Sequence, residues 1–254
     1  MKAAAIISAR IQSTRLHRKV LIELCGKTIL EHVIDRCRRF PEINTGNMVL
    51  AIPDTSENDV LASAGEKLGI KVHRGSEDDV LGRIIGAGRS VSAGVIYRVT
   101  SDNPLISNQV VRNTWEGFIN GEWDYAVMEN TPLGTTAEIV TMDTLERVEQ
   151  DTIDSQHREH PTLFMYENSN LFRMNLMSPP DEWNHIDWRF TVDTEKDLAL
   201  AKKIFGQLGP DADLDEIVPF LSANPEVPGI NADVEQQNWT SLKEKKDEIS
   251  RTSV

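Results

Sequence analysis

Residues 9–19 read ARIQSTRLHRK and follow directly on the apolar run AAAIIS at 3–8. Arg10, Ser13, Thr14, Arg15, Arg18 and Lys19 thus crowd one loop at the end of a short hydrophobic segment. Arginine offers a planar fork of donors to non-bridging phosphate oxygens, and lysine a compact point charge. Cations and backbone N–H groups at the carboxyl end of a buried strand suit a polyphosphate, and open α/β sheets seat their ligands in that crevice. The chain carries a formal net charge of −13, so the loop is a local positive site in an acidic molecule. A solvated surface loop is the alternative, and the position directly after the first strand favours the ligand. The loop lacks the GxxxxGK[ST] pattern of a Walker motif.

Two carboxylates complement it. Asp102 in VTSDNPLI (99–106) falls two residues beyond an apolar run, and Asp193 in WRFTVDTEKDL (188–198) follows a second one. Mg²⁺ favours one or two carboxylates together with phosphate oxygens, so a shared crevice would make Asp102 and Asp193 a metal pair. Separately, Asp102 also fits an Asx turn and Asp193 a helix N-cap. In HRGSEDDVLGR (73–83), Gly75 and Ser76 form a turn and Asp78 and Asp79 open a helix, where acids are favoured; this loop could read a nucleobase edge through backbone groups, Arg74 and Ser76. HREH (157–160) differs in order from HExxH and has no evident third ligand, which argues against zinc. Arg158, Glu159 and His160 read instead as acceptor-side polar groups or as surface. The glycines of GRIIGAG (82–88) lie within a helical pattern rather than after a strand, so they are not a dinucleotide fingerprint.

The elements that must position these residues alternate. Residues 3–8, 48–53, 70–73 and 94–102 read as strands, and 29–40, 58–68 and 80–92 as helices from their apolar spacing. This β-α-β-α-β-α-β rhythm predicts a mostly parallel, doubly wound central sheet flanked by helices. A helix at 107–120 and a strand at 123–128 follow. The rhythm then breaks over 129–190, which predicts a strand, helices and a small arm. Residues 189–192 read as a returning strand, with a helix after it capped by Asp193 or Thr194, and 214–221 as a short helix. The expected organisation is one domain over 1–230, with an arm at about 130–180, and a polar tail over 231–254.

Bulk composition narrows the class further. The 254 residues include 39% apolar and 26% charged side chains and no run approaching the ~18–20 apolar residues of a membrane span. The acidity disfavours nucleic-acid binding, which needs clustered cations. Two cysteines, Cys25 and Cys37, make no disulfide framework and read as reduced thiols. With no secretory pattern in residues 1–8, they point to the cytoplasm.

Together, SARIQSTRLHRKVL, HRGSEDDVLGR, VTSDNPLI, REHPT and WRFTVDTEKDL, in this order from residue 8 to 198, resemble the spore-coat polysaccharide cytidylyltransferase family. That family groups with the sugar-acid cytidylyltransferases acting on sialic-acid-like and Kdo-type sugars. NPEVPGIN near the end is similar as well. The resemblance implies a glycosyltransferase-A-like (Rossmann-like) nucleotidyltransferase fold. It places Ala9, Arg10, Ser13, Arg15 and Lys19 along the CTP phosphates and ribose, Ser76 and its neighbours at the base, and Asp102 and Asp193 on Mg²⁺. Two stretches depart from the family. Its MGSTRLPGKVL loop here has Ile11-Gln12 for Met-Gly and His17-Arg18 for Pro-Gly. Its PDGLDVE becomes PLGTTAE, with Thr136 replacing the second acid and Glu138 retained on the acceptor side.

The expected protein is a Mg²⁺-dependent cytidylyltransferase that moves CMP from CTP to a small anionic acceptor and releases pyrophosphate, with Arg15, Lys19 and Asp102 as its catalytic groups. The alternatives are a nucleotidyltransferase using UTP or GTP or a phosphorylated or phosphonate acceptor, and a silent nucleotide- or sugar-binding protein. The arm carries Leu163, Phe164, Met165, Tyr166, Leu171, Phe172, Met174, Leu176 and Met177, more apolar groups than one sheet is expected to cover, which predicts a homodimer.

Overall fold

A computed structural model describes residues 1–13 and 15–235. Thr14 and the end of the expected tail, 236–254, lie outside them.

Strand β1 (Ala3–Ser8) is the hub of the sheet. It pairs in parallel with β4 (Met48–Pro53) and with β6 (Val95–Thr100), and β4 pairs in parallel with β5 (Lys71–Gly75). The two-residue strands β2 (Glu23–Leu24) and β3 (Lys27–Thr28) form a separate hairpin. Its turn places Cys25 at φ 51° and Gly26 at φ 89°, as tight hairpin turns demand. Past β6 the sheet changes character. β7 (Tyr125–Met128) does not join β6; β8 (Glu138–Thr141) slots between them, antiparallel to both, and β9 (Met174–Met177) runs parallel to β7 at the edge. The seven-stranded order is β5-β4-β1-β6-β8-β7-β9.

Helices α1 (Ile29–Cys37), α2 (Asp59–Lys67) and α4 (Asn108–Ile119) cover one face, and α3 (Val80–Ser90), α5 (Met142–Asp151), α6 (Ser155–Glu159) and α7 (Leu163–Glu167) belong to the other side of the chain's alternation. Alternation along β1 feeds both cores: Ala3, Ala5 and Ile7 pack with Leu30, Val33 and Val111, whereas Ala4 and Ile6 pack with Leu81, Ile84 and Leu145. Helices α8 (Glu195–Leu208) and α9 (Leu214–Ala223) form a third core with Leu105, Val110 and Phe190.

The expected strand at 189–192 reduces to a single bridge between Leu133 and Arg189. Phe190 donates to the Leu133 carbonyl within that bridge, and beyond it Val192 donates to the Asp102 carbonyl at 2.8 Å. That last bond draws Asp193 to the end of β6. Gly134 allows the approach, since a Cβ there would lie 2.7 Å from the Thr191 amide nitrogen.

The arm covers itself. Leu163, Phe164, Met165 and Phe172 are buried, Tyr166 and Met174 pack on the α3–α5 core and Met177 on the α8–α9 core, leaving Leu171 and Leu176 exposed. The apolar surplus behind the dimer expectation is therefore absent, because β9 lays the arm along its own sheet. Asn231, expected to open the polar tail, is buried and donates to the Arg189 carbonyl and to Asp197, so the fold extends past 230.

Candidate active site

The cleft opens at the carboxyl ends of β1 and β6, with a cavity of about 940 Å³, within the range of small-ligand sites. The basic loop leaves β1 and arches over it. The loop is pinned from below: the Ile11 amide donates to Asn58 Oδ1 at 2.9 Å, and Asn58 is itself buried. Gln12 reaches Glu57 at 2.7 Å. The loop then turns into a short 3-10 turn, Lys19–Leu21, through Arg18 at φ 52° and ψ 30°. This is the left-handed region that glycine adopts without steric cost.

At the loop's end, Lys19 Nζ lies 2.6 Å from Asp102 Oδ2 and 2.6 Å from Asp193 Oδ1. Asp193 also meets Arg15 Nη2 at 3.1 Å and Arg189. Arg189 is fixed in turn: its Nε donates to the buried Asp197 at 3.1 Å. Asp197 is the third residue of α8 and completes a reciprocal cap with Thr194, the N-cap. Burial alone would lower the Lys19 ammonium, but Asp102 and then Asp193 outweigh it and hold it above its ordinary value. Burial alone would raise the Asp193 carboxyl; Lys19, Arg15 and Arg189 instead hold it below the usual carboxylate range.

The arm-side wall is cationic. Arg98 on β6 pairs with Glu138, its partner in the β6–β8 register, and Glu138 accepts from the Tyr125 hydroxyl at 2.7 Å. Burial works against the Arg98 charge, and Glu138 more than restores it. Tyr125 contacts the Tyr166 hydroxyl at 3.2 Å, which donates on to Glu129 at 3.3 Å. Arg83 of α3, 4% exposed, bonds the Ser76 and Glu77 carbonyls. Burial and then Arg10 lower its guanidinium. Burial likewise lowers His160, and Arg98 and Arg10 add to that effect against Glu159. Among the described residues, three buried polar atoms of cleft-lining side chains have no partner: Ser8 Oγ, Arg83 Nε and Arg98 Nε. Orphaned donors concentrated in one cavity mark it as a place where a ligand completes the hydrogen bonding.

Of the residues singled out from sequence, Ala9, Arg10, Ser13, Arg15, Lys19, Asp102, Asp193, Glu159 and His160 line this one cleft. Four others do not line it. Arg74 turns away to Asp59 at 2.5 Å, because the end of β5 lies against the α2 segment. Ser76 accepts from the Asp79 amide, leaving Arg83 to face the cavity in its place. Arg158 straps α6 to Asp79 and Glu149. Glu138 stands behind Arg98. Arg83, Arg98, Glu57 and Thr100 also line the cleft and were not singled out. Arg98 precedes the VTSD motif in the same strand, and its partner in β8 is set by a long-range pairing. His157, the other histidine of HREH, bridges Thr152 and Glu167 at 2.8 Å each.

Asp102 Oδ2 and Asp193 Oδ1 both touch one ammonium, so they lie no farther apart than twice 2.6 Å. No cluster of three or more His, Cys, Asp or Glu forms among the described residues. A divalent ion at this pair would take its other ligands from phosphate and water, as Mg²⁺ does; the donor set fits. Among the described residues, no helix is long and apolar enough to cross a membrane.

A family profile described as cytidylyltransferase matches residues 4–238. The chain belongs to that family. It is an α/β nucleotidyltransferase, as the motif resemblance implies. An uncharacterized protein of Methanocaldococcus jannaschii is 34% identical over 96% of this chain and all of its own length. The spore coat polysaccharide biosynthesis protein SpsF of Bacillus subtilis is 31% identical over 87% of this chain and 94% of its own. A cytidylyltransferase structure from Leptospira borgpetersenii superposes with a TM-score of 0.83 over 94% of this chain and 99% of that one; at 23% identity it shows the shared fold.

Proposed function

We propose that this cytidylyltransferase moves CMP from CTP to a small anionic acceptor, a sugar acid or a related compound, in the cytoplasmic synthesis of a surface polysaccharide or glycoconjugate. The observation that carries the reading is the Lys19 ammonium shared by two carboxylates at the end of the central strands, beneath a cationic loop and beside orphaned arginine donors. The name of the Bacillus relative supports the polysaccharide setting.

In the reaction an acceptor oxygen attacks the α-phosphorus in line. The new O–P bond forms as the bond to the β-phosphate bridging oxygen breaks and pyrophosphate leaves, and where the acceptor oxygen is a hydroxyl its proton is lost to solvent. Asp102 and Asp193 would hold Mg²⁺, which supplies charge neutralisation on the triphosphate. Arg15 and Lys19 hold the triphosphate and meet the charge that builds on the leaving group. Arg83 and Arg98 line the wall that positions the remaining parts of the two substrates, where fixed donors lower the cost of alignment. Burial, with Arg98 and Arg10 against Glu159, lowers the His160 imidazolium and so favours the neutral ring, which can accept or donate a hydrogen bond there.

The test is pyrophosphate release with Mg²⁺ over CTP, UTP and GTP, each with ulosonic and nonulosonic acids, phosphorylated polyols and phosphonates, with mass detection of the product. Release with CTP and one acceptor class is expected. Release only with UTP or GTP moves the nucleotide assignment, and CTP binding without release under every acceptor indicates a binding protein. The homodimer now rests on the free edge of β9 with Leu171 and Leu176. Light scattering should give twice the 28.5 kDa chain mass, and a single-chain mass would remove it.

A further inference from the structure

Lys19 occupies the position that a metal ion would share with Asp102 and Asp193. The contacts are those of a bridging cation, 2.6 Å to each carboxylate. The surrounding charges balance without a metal: Lys19, Arg15 and Arg189 face Asp102, Asp193 and Asp197 in one connected set of ion pairs. A bare divalent ion entering this set would meet two guanidinium groups and an ammonium at short range, with no net negative charge to draw it in. Three of the six groups are nearly or wholly buried, Arg189 at 4% side-chain exposure, Asp197 at 0% and Lys19 at 13%, so solvent screens that repulsion poorly.

We propose that the carboxylate pair rejects free divalent metal and accepts it only as a metal–nucleotide complex, with Lys19 serving as the resident cation of the empty site. On arrival the triphosphate brings the negative charge that the set lacks. Lys19 and Arg15, both on the loop, transfer from the carboxylates to phosphate oxygens and so vacate the place between Asp102 and Asp193. Arg189 does not transfer, because Asp197 and the α8 cap hold it. The same ammonium that keeps metal out of the free enzyme thus becomes a phosphate ligand in the loaded one. This inference rests on the metal and nucleotide reading above.

The test is Mn²⁺ titration of the full chain, followed without CTP by the electron paramagnetic resonance signal of free Mn²⁺ and with CTP, which itself chelates Mn²⁺, by equilibrium dialysis that counts protein-bound Mn²⁺. Wild type should bind Mn²⁺ alone weakly and Mn²⁺ with CTP tightly. Lys19→Met leaves two carboxylates short of a cation, so its affinity for Mn²⁺ alone should rise on the order of tenfold or more. Asp102→Asn in the Lys19→Met chain should abolish that gain. Lys19→Gln, which retains a polar group, serves as the second variant, and thermal unfolding checks that each chain is folded. Tight binding of Mn²⁺ alone to wild type overturns the proposal, as does unchanged Mn²⁺ affinity in folded Lys19→Met and Lys19→Gln. Failure of wild type to bind Mn²⁺ with CTP overturns the underlying nucleotide reading instead.

Discussion

At the loop end of the cleft, Asp193 is shared among Lys19, Arg15 and Arg189, which come from two segments far apart in the chain. At the arm end, Arg98 has one carboxylate, Glu138, supplied by the antiparallel strand inserted beside β6. The loop end is redundant in charge, with three cations on one carboxylate. The arm end is a linear chain, Arg98–Glu138–Tyr125–Tyr166, in which each member depends on the next. The proposed function assigns chemistry to the first region and shape to the second, and substitutions should separate the two.

The largest effect is expected for Asp102→Asn and Asp193→Asn. Each should lower turnover by about a thousandfold or more, as loss of charge stabilisation in a preorganised site does, while the chain stays folded. Near wild-type pyrophosphate release at saturating Mg²⁺ in both would break the contrast. Glu138→Gln should act the other way round. It leaves the Arg98 charge, with 20% side-chain exposure, without its counter-ion, at a cost of about 3 kcal/mol in stability. Urea unfolding measures this, and a loss under about 0.5 kcal/mol would show that Arg98 finds a substitute, as exposed pairs do.

Acid should expose the loop end. Asp193 is held below the ordinary carboxylate value by its cations, so its folded form binds a proton less readily than its unfolded form. The stability it supplies is complete above the unfolded value of about 3.9 and is lost as pH falls through the depressed folded value. Asp193→Asn should therefore show a shallower loss of stability below about pH 4 than wild type; parallel profiles would count against the ion-pair set. The smallest effect is expected for Arg18→Gly. Arg18 holds a left-handed conformation where the resembling family has glycine. Relief of that conformation should outweigh the entropy of a new glycine and stabilise the chain by about 0.5 kcal/mol. Destabilisation would show that the Arg18 side chain holds the loop.

The two regions were unequally legible in the sequence. The loop end could be read because its parts are local: a basic stretch directly after an apolar run, and acids directly after two others. Even there, the segment before Asp193 reads as a strand in the sequence and forms only one bridge in the structure. Its apolar alternation is satisfied by a bridge to Leu133 and by packing under α8, not by a ladder. The arm end could not be read, because Arg98 and Glu138 are forty residues apart and meet only through the β6–β8 register. Once the parallel rhythm ended, nothing local in the sequence signalled that a later strand would slip between β6 and β7. Nor did anything local signal that β9 would pair with β7 and lay the arm along its own sheet. Arg74 and Arg158 stand in the motifs but are drawn away from the cleft, Arg74 by Asp59 fifteen residues before it and Arg158 by Asp79, seventy-nine residues away and brought near only by the packing of α6 on α3.

Under the proposed function Lys19, between Asp102 and Asp193, receives the triphosphate of CTP. Calorimetric titration of CTP and CMP into wild type and Lys19→Ala, with Mg²⁺ present, tests it most directly. Lys19→Ala should weaken CTP binding by about tenfold or more, as loss of a charge-assisted contact does, and leave CMP binding nearly unchanged. Equal losses for the two nucleotides, or none for either, would contradict it.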